Sequence, residues 1–175
     1  VNKTLVLFAH PYFEHSKANI KLTKVYQNKE YVTFRDLYEE YPDFSIETFK
    51  ERKRLPAYDR IIFHMPLIWF GMPPLLKLWI DEVFETRWVI HHGKNSPLAG
   101  KKACIIVTAG GSAQSFSEEG FFKLNAKRYL SSLIESIGIN NMSLEKFIAI
   151  YDADQLSQEE ISRYYDEIKE IIEKT

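Results

Sequence analysis

Cysteine is nearly absent. Cys104 is the only one among 175 residues and sits inside the apolar run ACIIV, so the chain can form neither an internal disulfide nor a cysteine-based zinc cluster. That fits a reducing compartment such as the cytoplasm. Neither sign of charge is in surplus: 23 basic and 24 acidic residues leave a formal net charge of −1. Nothing in that balance marks a nucleic-acid binder, and a small ligand or another protein is the expected partner. Long hydrophobic runs are missing too. The charge-free segment around Met65 to Leu76 falls short of the ~20 residues of a spanning helix and is interrupted by prolines. The opening VNKTLVLFAHP is too short for a signal-peptide core, has no small-residue cleavage site behind it, and reads as a strand. No repeat or low-complexity segment occurs, and no G-K-S or G-K-T completes a Walker phosphate loop.

What is present is 45% hydrophobic and 14% aromatic residues, enough for the core of one domain spanning 1–175. Five short apolar runs are rich in β-branched and aromatic residues: Thr4 to Ala9, Tyr31 to Phe34, Arg60 to Met65, Ala103 to Ala109 and Lys146 to Tyr151. Their lack of polar alternation suits strands covered on both faces. Between them the period is helical. Ser16 could cap a helix carrying Ala18, Leu22 and Val25; Ser45 could cap Ile46 to about Leu55; LLKLWIDEVF supplies a third. Ala126, Leu130, Leu133 and Ile137 share a face that ends at Gly138, a C-terminal cap type. Ser157 and Glu160 have capping-box spacing ahead of Ile161, Tyr164, Ile168 and Ile172. Alternating strands and helices predict an α/β three-layer sandwich: a five-stranded parallel sheet in flavodoxin-like order 2-1-3-4-5 with helices on both faces. Thr86 to Lys101 is expected to be an irregular surface excursion.

Ligands of such sheets lie outside the carboxyl ends of the strands, so three loops matter. After the first strand, HPYFEHSKAN brings His10 to a helix start where Ser16, Lys17, Ala18 and Asn19 offer donors suited to a phosphate. An ordinary serine cap has the same signature. After the third strand, Pro66, Pro73 and Pro74 stiffen a loop in which Leu67 to Gly71 are expected to keep free N–H groups and Trp69 and Phe70 offer flat apolar surface. Core packing or a dimer contact would use the same residues. After the fourth strand, Thr108, Ala109, Gly110 and Gly111 permit a tight turn and close backbone approach. In the order 2-1-3-4-5 the three loops are neighbours at one crevice.

The motifs H-P-x(4)-S-x-x-N (His10, Pro11, Ser16, Asn19), R-D-L-Y (Arg35 to Tyr38), Y-P-D-F (Tyr41 to Phe44), P-L-I-W-F-G-M-P-P-L-L-K-L-W-I-D-E-V-F (Pro66 to Phe84), L-A-G-K (Leu98 to Lys101) and T-A-G-G (Thr108 to Gly111) resemble the flavodoxin-like NAD(P)H quinone oxidoreductases. The likeness is greatest to short bacterial members, among them the ancillary proteins of glutathione-gated potassium efflux systems and the general stress protein 14 group. The resemblance implies FMN, with FAD as the alternative, reduced by NAD(P)H and reoxidised by a quinone in a ping-pong cycle. His10, Ser16, Lys17, Ala18 and Asn19 would hold the phosphate end; Pro66, Leu67, Ile68, Trp69 and Phe70 would border the isoalloxazine; Thr108, Ala109, Gly110 and Gly111 would approach its other edge. It further implies a homodimer, a cytoplasmic protein that can sit at the inner face of the membrane, and a potassium efflux channel subunit as a partner. A regulatory subunit, a flavodoxin-type electron carrier and an azo- or nitro-reductase are the alternatives. Longer relatives carry a tyrosine and a histidine where Phe116 and Phe122 stand, so no side chain is assigned acid catalysis. WVIHH, Trp88 to His92, also departs from the short members.

Other conspicuous residues read blandly. His91 and His92 lack metal-ligand spacing, and no metal is expected. His64 reads as a satisfied core histidine. Asp81, Glu82 and Glu85 read as a solvated face or partner contact, and KERKRL, Lys50 to Leu55, as solvent-facing helix surface.

Overall fold

In the computed structural model, which describes residues 2–90 and 96–174, five parallel strands pair in the order β2-β1-β3-β4-β5. They are β1 (Thr4–Phe8), β2 (Val32–Asp36), β3 (Arg60–Pro66), β4 (Lys102–Thr108) and β5 (Ser143–Ile150). Every residue of β1 and β3 is buried, as the unalternating runs predict. Successive side chains point to opposite faces, and two cores result. On one face Leu5, Leu7, Ile61, Phe63, Ile105 and Val107 meet Leu76, Trp79 and Ile80 and also Leu133 and Ile137. On the other, Val6, Ile62, Cys104 and Ile106 meet Leu22 and Val25 and also Ile161, Ile168 and Ile172. The sandwich of three layers follows. Burial pushes the Cys104 thiol up to about 12, which leaves it inert at neutral pH.

The helices are α1 (Lys17–Leu22), α2 (Leu37–Glu40), α3 (Thr48–Arg54), α4 (Pro74–Val83), α5 (Thr86–Ile90), α6 (Ala126–Tyr129), α7 (Ser131–Ile139) and α8 (Gln158–Glu173). Ser16 caps α1, and Ser157 with Glu160 forms the expected capping box of α8. Several expectations need correction. The chain after α1 tightens into a 3-10 turn, Thr23–Tyr26, that still buries Val25. The second predicted helix begins at Thr48, with Glu47 at the cap position and no side-chain cap; Ser45 lies outside it, its N–H donating to Asp43. The fourth predicted helix is split into α6 and α7, and Gly138 lies inside α7, whose cap is Asn140. The left-handed residue there is Asn141, at φ 56°, one of the few side chains that tolerate that region. Part of the predicted surface excursion is helical, as α5. Trp88 of WVIHH is nearly buried in the core, whereas His91 and His92 lie outside the described residues.

KERKRL is not a solvated face throughout. Glu51 is fully buried and accepts from the Arg35 guanidinium, from the Tyr41 hydroxyl at 2.6 Å and from the Trp79 indole N–H at 2.9 Å. Burial by itself would raise its pKa; the donors outweigh that and hold the carboxylate below its usual range. The result ties α3 and α4 to β2. Asp81 and Glu82 are exposed as expected, while Glu85 is partly buried against Arg52. No helix among the described residues is long and apolar enough to cross a membrane, and no group of acidic, histidine or cysteine side chains there could hold a metal ion.

Candidate functional site

The carboxyl ends of β1, β3 and β4 open into one crevice with two lobes that share Tyr12, Leu67, Ala109 and Gly110. The polar lobe, about 220 Å³, is lined further by His10, His15, Ser16, Pro66, Thr108, Ala153 and Asp154. The apolar lobe, about 400 Å³, is lined by Ile68, Trp69, Phe70, Gly111, Phe116 and Phe122. Eleven of the predicted residues therefore line it. The other three do not: Lys17 is exposed, Ala18 is packed in the core, and Asn19 is buried behind Ser16. Tyr12, His15, Ala153 and Asp154 were not anticipated. The last two come from the loop after β5, for which no motif signalled a role. Phe116 and Phe122, noted in the sequence only as missing proton donors, prove to be walls.

The polar lobe is preorganised from behind. Asn19 donates its side-chain amide to Ser16 Oγ at 2.9 Å and to Thr108 Oγ1 at 3.0 Å, and its backbone N–H also donates to Ser16 Oγ, at 3.3 Å. His64 Nε2 lies 2.9 Å from Asn19 Oδ1, and its Nδ1 lies 2.9 Å from the Tyr26 hydroxyl. His64 is thus the satisfied core histidine the sequence suggested; burial, with a smaller effect of His10, pushes its pKa down to about 3. His10 Nδ1 accepts the Tyr12 N–H at 3.1 Å, which places the proton of a neutral ring on Nε2. Burial lowers the His10 pKa, with Glu14 and Asp154 opposing it.

The apolar lobe is bounded by a strained turn. Ile68 and Gly71 exchange backbone hydrogen bonds at 3.0 Å each way, and Trp69 and Phe70 between them have φ of 42° and 65°. Positive φ at both central positions is the primed hairpin turn that normally selects Asn-Gly. The expectation of free N–H groups from Leu67 to Gly71 is corrected accordingly: Leu67 donates to Thr108 O and Ile68 and Gly71 to each other, leaving Trp69 and Phe70. Gly110 and Gly111 likewise donate to no protein acceptor among the described residues. Neither glycine has positive φ; their smallness serves space. A Cβ on Gly111 would lie 2.9 Å from the Phe116 ring, whereas one on Gly110 would meet nothing nearer than Asp154 at 3.9 Å and would project into open space. Phe116 stacks on Tyr151 with centroids 5.4 Å apart, and Phe70 packs on Phe122 and Tyr129 at 5.2 and 5.0 Å. Trp69 is 91% exposed.

The profile of the flavodoxin-like fold family matches residues 2–172. The chain belongs to that family. A relative described as the uncharacterized NAD(P)H oxidoreductase YdeQ of Bacillus subtilis (strain 168) is 36% identical over 160 residues, 91% of this chain and 81% of its own length. Among solved structures, general stress protein 14 of Treponema denticola in complex with FMN superposes with a TM-score of 0.87 at 24% identity, covering 97% of both chains. An NADPH-quinone reductase from P. pentosaceus gives a TM-score of 0.87 at 23% identity, covering 99% of both. A structure described as a "thermophilic tryptophan halogenase (Th-Hal) enzyme from Streptomycin violaceusniger" gives 0.85 at 28% identity, covering 98% of this chain and 99% of that one. The flavodoxin-like architecture is common to all; the chemistry named for them differs.

Proposed function

We propose that the chain is an FMN-dependent NAD(P)H:quinone oxidoreductase. The observation that carries this reading is the pairing of a small polar lobe with a flat apolar lobe in one crevice, at the strand ends where this fold places ligands. The names of YdeQ and of the FMN-bound and quinone-reductase structures support it, as do the motifs from His10 to Gly111.

The residues present fit FMN on three counts. Ser16 and Thr108 bring hydroxyl groups to the polar lobe, with His10 beside them. Gly110 leaves open a space that any side chain would enter. The unpartnered N–H groups of Trp69, Phe70, Gly110 and Gly111 can answer a polar rim around a flat apolar body. Asp154 is the awkward member, because a carboxylate repels a phosphate. Its role in this reading is to accept from hydroxyl groups of the ribityl chain, the segment that joins phosphate to ring.

When bound, FMN supplies the two-electron chemistry that couples NAD(P)H oxidation to quinone reduction in two half-reactions at one site. The chain's own residues bind, orient and exclude water. Phe116 and Phe122 can donate no proton, and Tyr12 is the one hydroxyl side chain at the junction of the lobes. The Gly110 and Gly111 N–H groups are the oriented dipoles for negative charge at the ring edge. Trp69, at 91% exposure, together with Phe121, at 85%, offers apolar surface to a second copy of the chain, and a homodimer is part of the proposal. The test is to purify the protein, identify any heat-released chromophore, and follow its reduction by NAD(P)H and reoxidation by a benzoquinone. A protein that takes up no flavin refutes the reading.

A further inference from the structure

Behind the polar lobe lies a chain of buried polar side chains that none of the proposed chemistry uses directly: Tyr26, His64 and Asn19, with 3%, 0% and 1% of their surface exposed. The Tyr26 hydroxyl has one partner, His64 Nδ1. A buried hydroxyl whose only neighbour is a ring nitrogen keeps its proton satisfied only by donating to it. Nδ1 is then the acceptor, and in the neutral ring the proton sits on Nε2. Nε2–H requires an acceptor, so the Asn19 side chain must turn Oδ1 toward it, and the amide –NH2 must face Ser16 and Thr108. The opposite amide orientation would set two donors against each other or leave the Tyr26 proton without a partner in the core.

The consequence reaches the cavity. Ser16 Oγ accepts from both the backbone and the side chain of Asn19, and Thr108 Oγ1 accepts from the same amide. Neither hydroxyl can give its proton back to Asn19, and neither has another protein acceptor among the described residues.

We infer that Tyr26, His64 and Asn19 form a one-way hydrogen-bond relay that holds the Ser16 and Thr108 hydroxyls as donors toward the polar lobe, and so makes this chain discriminate phosphorylated from unphosphorylated flavin. Tyr26 and His64 are positioning residues that touch no ligand. The inference rests on the flavin reading above for the identity of the ligand, and on the hydrogen-bond geometry for everything else.

The test compares FMN with riboflavin, which has the ring and ribityl chain but no phosphate. Dissociation constants are measured by flavin fluorescence for the wild type and for His64→Gln, His64→Leu, Tyr26→Phe and Asn19→Asp, each alongside a melting curve. Glutamine reproduces the relay, its amide N–H donating to Asn19 and its amide oxygen accepting from Tyr26, so H64Q should keep FMN affinity within about threefold. H64L and Y26F remove the fixed direction and should weaken FMN about tenfold, the loss of roughly one charge-assisted hydrogen bond, while riboflavin affinity stays within about twofold. N19D presents only acceptors, draws both hydroxyls inward and should lose FMN further. FMN affinity unchanged in H64L and Y26F overturns the relay. So does equal loss of FMN and riboflavin in step with a lower melting temperature, which a purely structural role would give. If the wild type binds neither flavin, the proposed function fails, and protection by inorganic phosphate against thermal unfolding then decides the relay separately. A shift seen in the wild type and H64Q but not in H64L supports it; no shift in the wild type overturns it.

Discussion

Replacing Trp69 by asparagine should make the protein more stable and a worse binder of flat ligands. Trp69 sits at φ 42° in the two-residue turn and is 91% exposed. A non-glycine residue in the left-handed region costs on the order of 1 kcal/mol, and asparagine is among the side chains that bear it best. Little burial is forfeited, since the ring contacts mainly Phe70, edge-on with centroids 6.4 Å apart, a pair worth about 0.5–1 kcal/mol when well packed and less when exposed. The balance is a gain of about 0.5–1 kcal/mol, or roughly 1–4 °C in melting temperature for a chain of this size. Phe70 is different: it is 39% exposed and packs on Phe122 and Tyr129, so Phe70→Gly relieves its φ of 65° but removes wall and contacts together. Urea unfolding of W69N checks the stability, and flavin titration with quinone KM checks the function. A W69N protein less stable than the wild type by 1 kcal/mol or more would show that the tryptophan serves the fold, and the argument from exposure and strain would be wrong.

Three further outcomes follow from the structure. Gly110→Ala should leave stability within about 0.5 kcal/mol yet weaken flavin binding, whereas Gly111→Ala, with its Cβ 2.9 Å from Phe116, should cost about 1–3 kcal/mol before any ligand is added; thermal unfolding with and without FMN separates them. Glu51→Gln removes one of the two carboxylates that pair with the buried Arg35 guanidinium, leaving Glu40, and should cost about 1.5–3 kcal/mol in urea unfolding; a loss under 1 kcal/mol would mean the network contributes little. Burial pushes the Asp36 carboxyl up from 3.8 to about 6, so the folded state holds that proton more tightly than the unfolded chain. The stabilisation is therefore complete below about pH 4 and lost as pH rises through about 6. Asp36→Asn keeps the acceptor for the Tyr38 and Glu39 N–H groups. It should match the wild type at pH 4 and exceed it by up to about 3 kcal/mol, an upper bound, at pH 7.5; a difference that does not change with pH contradicts the assignment.

Strand order and the location of the crevice were legible because buried parallel strands announce themselves as apolar runs, and the loops after three of them carry motifs. Local chemistry was less so. Glu51 looked solvated because its seven-residue helix is mostly charged, and its partners Arg35, Tyr41 and Trp79 lie 16, 10 and 28 positions away, a proximity only the fold creates. The turn at Trp69-Phe70 hid for a related reason: primed turns are recognised by asparagine and glycine, and here two aromatic residues are held in that conformation by the bridge between Ile68 and Gly71. Gly138 misled in the opposite sense, since glycine permits a left-handed cap without requiring one. Asp154 enters the polar lobe from the loop after β5, and nothing in its neighbourhood distinguishes it from any acidic loop residue. Asn19, expected to face the ligand, is instead buried behind Ser16.

The proposed function requires the two-lobed crevice to be a flavin site that NAD(P)H reduces. Its most direct test is a stopped-flow experiment on protein reconstituted with FMN, followed at the flavin absorbance under anaerobic conditions. The expected result is one FMN bound per chain, bleached by NAD(P)H and restored by a benzoquinone. A chain that binds no FMN, or binds it and leaves it oxidised in the presence of NAD(P)H, would contradict the claim.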